Sequence, residues 1–234
     1  MDKWPVIGLD ADDTLWENEA YFRDTECRFH NLMSPWAEVE ISSSALLAVE
    51  RENIALTGYG VKGFVLSMIE TALSLSQEQC EAWRIRQILQ WGQEMLDLPV
   101  KPLPGIVRTL TALEDSYRLI LITKGDLAEQ QRKITKSGLS KYLWKIEIVP
   151  EKDAEAYQRI LQRHGIELSE FIMVGNSVPS DVLPVLAIGA KAIHIPHATT
   201  WALETAGIDE TKGLDYPVLD SFDQLPAFLG KQHY

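Results

Sequence analysis

From residue 105 onward, short apolar runs alternate with helix-length stretches, and this rhythm constrains the fold more than any other feature of the chain. Residues 119–123, 145–150, 171–175 and 191–196 are brief, rich in Ile, Val and Leu, and bounded by polar or turn-forming residues. Runs of this length suit strands buried on both faces. Residues 106–113 precede the first of them and have helical patterning, as do residues 127–137, 154–164 and 180–188 between them. Gly138 follows the second of these helices as a C-cap. Residues 6–9 (Val-Ile-Gly-Leu) supply a fifth apolar run at the start. Strand–helix alternation predicts an α/β fold with a doubly wound parallel sheet.

The first strand is separated from the others by a stretch of different character. Residues 20–33 suit a helix. Ser42, Ser43 and Ser44 suit the cap of a second helix ending near Leu56. Val61, Phe64, Val65, Met68, Ile69, Ala72 and Leu73 follow the i, i+3, i+4, i+7 rule. Ser76 and Gln79 have the spacing of a capping box, opening a fourth helix that ends near Leu96. The proline-rich segment 98–105 cannot continue a helix and reads as a stiff connector. The expectation is a core domain formed by residues 1–16 and 102–234, with an all-helical domain over 17–101 inserted after the first strand.

Composition narrows the class of function. The chain has 234 residues, is 46% hydrophobic, and carries a net charge of −12, which disfavours nucleic acid or an anionic membrane as a partner. Cys27 and Cys80 lack metal-ligand spacing and read as reduced core thiols. The first strand begins almost at Met1, without a charged-then-apolar leader or an 18-residue apolar run. A cytoplasmic protein is expected, as monomer or homodimer.

In an open α/β sheet, ligands gather beyond the carboxyl ends of the strands. There the first run ends in Asp10-Ala11-Asp12-Asp13-Thr14, the second in Thr123, and the fourth in Asn176-Ser177 with Asp181 further on. Lys152 follows the third. Period-2 alternation allows Asp10 and Asp12 to point the same way, and two such carboxylates need a cation or a shared proton between them. A calcium loop is a poor alternative, because Leu15 stands where such a loop needs glycine and no matching glutamate follows. Oxygen ligands suit Mg²⁺, and an aspartate can attack phosphorus to form an aspartyl-phosphate.

These residues resemble the four motifs of the haloacid dehalogenase (HAD) superfamily. Asp10 to Thr14 is similar to Asp-x-Asp-x-Thr, Thr123 to the hydroxyl residue ending the second motif, and Lys152 to the lysine of the third. Gly175 to Asp181 is similar to Gly-Asp-x-x-x-x-Asp, with Asn176 in place of the usual aspartate. The helical insert looks like the family's C1 cap. The resemblance implies a Mg²⁺-dependent phosphomonoester hydrolase with Asp10 as nucleophile and Asp12 as acid and base. It implies that Thr123 donates to phosphate and that Lys152 offsets negative charge. Metal binding falls to Asp10, Asp12 and the fourth motif, where either Asn176 or Asp181 is the direct ligand.

The implied substrate is a small phosphorylated metabolite, either a sugar phosphate or a nucleotide monophosphate. Lys124, and Tyr59 and Lys62 in the cap, are the candidate specificity residues. Three other functions compete. A 2-haloacid dehalogenase shares the nucleophile but lacks the second aspartate, because halide departs without a proton. A phosphomutase passes the phosphoryl group to a hydroxyl instead of water. A receiver domain combines acids, Thr and Lys, but is about half this length and has no helical insert.

Overall fold

The structure is a computed structural model, described here for residues 5–199, 201 and 213–231. The parts of the expected core domain at 1–4, 200, 202–212 and 232–234 lie outside the described residues. The chain divides into two compact units, Met1–Glu19 with Val100–Tyr234, and Ala20–Pro99.

The first unit is built on a five-stranded parallel sheet, as the sequence alternation predicts. Strands β1 (Val6–Leu9), β2 (Arg118–Lys124), β3 (Lys145–Val149), β4 (Phe171–Gly175) and β5 (Lys191–His194) lie in the order β3-β2-β1-β4-β5. Alternate residues feed opposite faces. Ile7, Leu9, Leu119, Leu121, Ile172 and Val174 join one apolar cluster, while Val6, Ile120, Ile122, Phe171 and Met173 join the other. Helices α5 (Ile106–Leu113), α6 (Leu127–Ser137), α7 (Ala154–His164), α8 (Leu183–Ala187) and α9 (Leu225–Lys231) also belong to this unit. The chain winds outward from β1 to β3 and then returns to β4. The order therefore reverses between β1 and β4, the switch point where ligands bind in such sheets.

The fourth-motif helix departs from expectation. Instead of one helix over 180–188, a π-helical turn covers Val178–Val182 and α8 begins at Leu183. Pro184 is the cause, since it has no N–H to donate to the Ser180 carbonyl. That carbonyl accepts the Tyr157 hydroxyl instead, at 2.9 Å.

The second unit contains most of α1 (Glu19–Met33) together with α2 (Val39–Thr57), α3 (Val61–Leu75) and α4 (Ala82–Asp97). Its core includes Phe29, Leu46, Phe64, Met68, Ile88 and Trp91. Two capping expectations are corrected. Helix α2 starts at Val39, so Ser42 lies inside its first turn, where its Oγ meets His30 Nδ1 at 2.8 Å and donates to Val39 O. Ser76 ends α3, and its Oγ accepts Cys80 N–H at 3.0 Å. Gln77 and Glu78 then take left-handed φ values of 51° and 63°, and α4 opens only at Ala82. Both cysteines are free, but the core expectation fails for Cys27, which is exposed, while Cys80 is half-buried against the core of this unit. No helix among the described residues is long and apolar enough to cross a membrane.

Candidate active site

The carboxyl ends of β1 and β4 come together through main-chain pairing, with Asp10 N–H donating to Val174 O at 2.9 Å. Asp10, Lys152 and Asp181 are all buried. Lys152 Nζ donates to Asp10 Oδ1 and, at 2.7 Å, to Asp181 Oδ1. Asp181 Oδ2 accepts Ser177 N–H at 3.0 Å. This carboxylate lies so close to the end of β4 that a Cβ on Gly175 would fall 2.1 Å from Asp181 Oδ2. Glycine is required there for space.

Burial pushes the Asp10 carboxyl up to about 7; Lys152 pulls it down and Asp181 adds to the rise. Burial disfavours the Lys152 charge, but Asp10 and Asp181 outweigh that effect and hold its pKa well above the usual lysine value. Two buried acids thus share one lysine.

Thr14 links the first and fourth motifs. Its hydroxyl lies 2.9 Å from Asp10 Oδ2 and 3.1 Å from Asn176 Oδ1, and accepts Asn176 N–H at 3.1 Å. One hydroxyl proton cannot serve both oxygens at once. A spare oxygen lone pair therefore remains beside the buried acid, an environment that suits a hard divalent cation. Asp181, like Asp10, accepts one hydrogen bond on each oxygen, from Lys152 and from Ser177 N–H.

Asp12 faces a different set of partners. Trp16 Nε1 donates to its Oδ1 at 2.7 Å, Gln130 Nε2 to its Oδ2 at 2.8 Å, and Lys133 Nζ to both oxygens at 3.0 Å. Lys133 also donates to Asn18 Oδ1 at 2.7 Å and lies 3.4 Å from Glu129 Oε1. Burial opposes its charge, yet Asp12 and Glu129 raise its pKa above the usual value.

Asp13 adopts a left-handed φ of 60°, and its carboxylate accepts Asn18 N–H and Glu19 N–H at the start of α1. Burial raises its pKa to about 6. Among the described residues, Asp13, Glu17 and His197 bring three ligand atoms within 4.8 Å of one another.

Of the other expected residues, Thr123 is buried near the end of β2, two residues beyond Leu121, which pairs with Leu9. Lys124 Nζ donates to Ser180 Oγ at 3.0 Å and lies 3.6 Å from Glu151 Oε1. Tyr59 and Lys62 belong to the helical unit: Tyr59 is half-buried in the turn before α3, and Lys62 is exposed in its first turn.

The motif reading did not single out Gln130 or Lys133. The structure explains them only once α6 is packed, burying Glu129 and Gln130 beside Ile134. A polar stripe on the inner face of a sheet-packed helix needs a partner.

A family model described as haloacid dehalogenase-like hydrolase matches residues 4–189. The chain belongs to this family. A solved haloacid dehalogenase-like family hydrolase from Xanthomonas campestris is 37% identical, with a TM-score of 0.85 over 99% of this chain and 93% of that one. The N-acylneuraminate-9-phosphatase of Rattus norvegicus is 28% identical over 51% of this chain and 48% of its own length. The match thus spans about half of that relative. Pyrimidine 5'-nucleotidase YjjG of Escherichia coli is 25% identical over 77% of this chain and 81% of its own length. Membership makes this chain a hydrolase, and these two relatives carry phosphatase and nucleotidase names.

Proposed function

We propose that the protein hydrolyses a small phosphorylated metabolite, a sugar phosphate or nucleotide monophosphate, in a Mg²⁺-dependent reaction through an aspartyl-phosphate on Asp10. The observation that carries this reading is the pair of carboxylates in the first motif, each with its own lysine and its own depth. The Asp10 side chain is 10% exposed and held by Lys152; the Asp12 side chain is 23% exposed and held by Lys133. The buried member suits the attacking role, and the more accessible one suits proton transfer.

In the first step an Asp10 oxygen bonds to phosphorus while the phosphorus–oxygen bond of the ester breaks. Asp12 gives its proton to the departing oxygen. In the second step a water oxygen bonds to phosphorus, the Asp10–phosphorus bond breaks, and the water's proton passes to Asp12. Water and the ester are consumed, and an alcohol and phosphate leave. Thr123 donates to the phosphate oxygens, and Lys152 stays paired with Asp10 and Asp181. Mg²⁺ bound by the Asp10 carboxylate, the Asp12 main-chain carbonyl and the Asn176 side-chain carbonyl would neutralise charge between the two anions. Asn176 is assigned as the fourth-motif ligand because its carbonyl oxygen and Asp10 Oδ2 flank the same Thr14 hydroxyl, whereas Asp181 is ion-paired to Lys152. Lys124, with Tyr59 and Lys62 in the helical unit acting as a cap, is assigned to substrate selection.

Asp12 also weighs against dehalogenation, in which the halide leaves unprotonated. The test is a panel of phosphorylated metabolites with Mg²⁺, run beside 2-chloropropionate, with Asp10→Asn as the blank. Phosphate release that disappears in the blank is expected. Halide release without phosphate release would overturn the reading, and transfer to a second sugar would make the enzyme a phosphomutase.

A further inference from the structure

We propose that Gln130 and Lys133, on the inner face of α6, are positioning residues that fix the orientation of Asp12 for proton transfer. The inference rests on the reading of Asp12 as the acid and base.

Three observations converge on it. First, the donor protons around Asp12 are fully assigned. Gln130 Nε2 carries two, directed at Asp12 Oδ2 and at Lys124 O, at 2.8 and 3.0 Å. Lys133 Nζ carries three, matched by Asp12, Asn18 and Glu129. With Trp16, three side chains grip one carboxylate. They make two contacts to each oxygen, Lys133 reaching both, so the carboxylate cannot turn about its Cβ–Cγ bond without breaking them.

Second, Gln130 Oε1 is buried without a hydrogen-bond partner among the described residues. A buried amide oxygen left unpaired is unfavourable, so another contact must hold this orientation. Turning the amide over would set its oxygen against Asp12 Oδ2 and Lys124 O. Asp12 and the Lys124 carbonyl thus dictate which way Gln130 faces.

Third, the chain leaves room for this amide. Gly125 has a φ of 135°, and a Cβ there would lie 3.1 Å from Gln130 Nε2. The turn after Thr123 is both left-handed and bare where Gln130 reaches through.

The test is the leaving-group dependence of kcat/KM for the Mg²⁺-loaded enzyme on aryl phosphates, from 4-nitrophenyl to 4-methoxyphenyl phosphate. A working general acid makes the rate nearly indifferent to the leaving group, because the oxygen departs protonated. General acids contribute about 10²- to 10⁴-fold. Wild type should therefore show a shallow slope and Asp12→Asn a steep one. Lys133→Met and Gln130→Ala should fall between them, losing roughly tenfold or more on 4-methoxyphenyl phosphate and less than about threefold on 4-nitrophenyl phosphate. Gln130→Ala removes only a neutral side chain and carries the comparison if Lys133→Met does not fold. A uniform loss on every ester, with the wild-type slope retained, makes these residues structural and overturns the inference alone. A wild-type slope as steep as that of Asp12→Asn removes the acid itself, and the inference falls with the reading beneath it.

Discussion

Two carboxylates only two residues apart in sequence occupy different surroundings. Asp10 shares Lys152 with Asp181, and Lys152 and Asp181 have side chains only 2% and 1% exposed. Asp12 shares Lys133 with Glu129, in a set whose lysine and Asp12 side chains are 16% and 23% exposed. Both sets are a lysine between two acids, so composition does not distinguish them; depth does at the lysine and at the motif aspartate, although Glu129 is itself only 4% exposed. Desolvation strengthens every charge interaction in the deeper set and penalises any charge left alone there. The shallower set holds its carboxylate in place while leaving it accessible to solvent.

The largest effect should come from removing the deeper cation. Lys152→Met leaves Asp10 and Asp181 buried together, and urea unfolding should show a loss of roughly 3–5 kcal/mol. Lys133→Met should lose less, about 1–3 kcal/mol in the same measurement, because solvent reaches Asp12 even though the buried Glu129 also loses its cation. Equal losses would show that depth does not separate the two sites. Gly175→Ala attacks the deeper set from its wall, forcing Asp181 away from the new methyl. A stability loss of about 1–3 kcal/mol is expected, and an unchanged unfolding midpoint would mean that Asp181 has room to move. Asn176→Asp should sharpen the contrast by adding charge beside Asp10. Half-maximal activity should then need roughly tenfold less Mg²⁺, whereas an unchanged titration would remove Asn176 from the metal site.

The smallest effect concerns a buried nitrogen that has a hydroxyl partner in place of an acid. Burial lowers the pKa of His30, whose Nδ1 meets Ser42 Oγ. Its neutral form is therefore favoured in the folded chain. The resulting stability is present above the unfolded value near 6.5 and declines as pH falls below it. Between pH 7 and 5 the wild type should lose slightly more thermal stability than His30→Gln. Parallel melting curves for the two proteins would contradict this.

The sheet was readable from sequence because each strand is a short apolar run with a polar residue at its end. Asp10, Thr123, Lys152 and Asn176 could be aligned at one edge by topology alone. Helix starts were less legible where a side chain had a better use than capping: Ser42 is taken up by His30, and Ser76 closes one helix before it can open another. Gln130 and Lys133 were hidden for a different reason. Their purpose depends on Asp12, more than a hundred residues earlier, and no local pattern records that pairing. The lysine beside Asp12 could have been expected from charge alone, because a second acid next to Asp10 needs its own counter-ion. Which lysine filled that role required the fold.

Pro184 offers a last consequence. Lacking a donor, it cannot draw the Ser180 carbonyl into α8, and Tyr157 from α7 takes that carbonyl instead. Leu183 N–H bonds back to Val178 O, a five-residue span that widens the turn carrying Asp181. The loop is thereby anchored sideways to the helix that follows Lys152, and its pitch is uncoupled from the helix that comes after it. One absent hydrogen atom thus leaves the turn that carries Asp181 tied to the helix that follows Lys152.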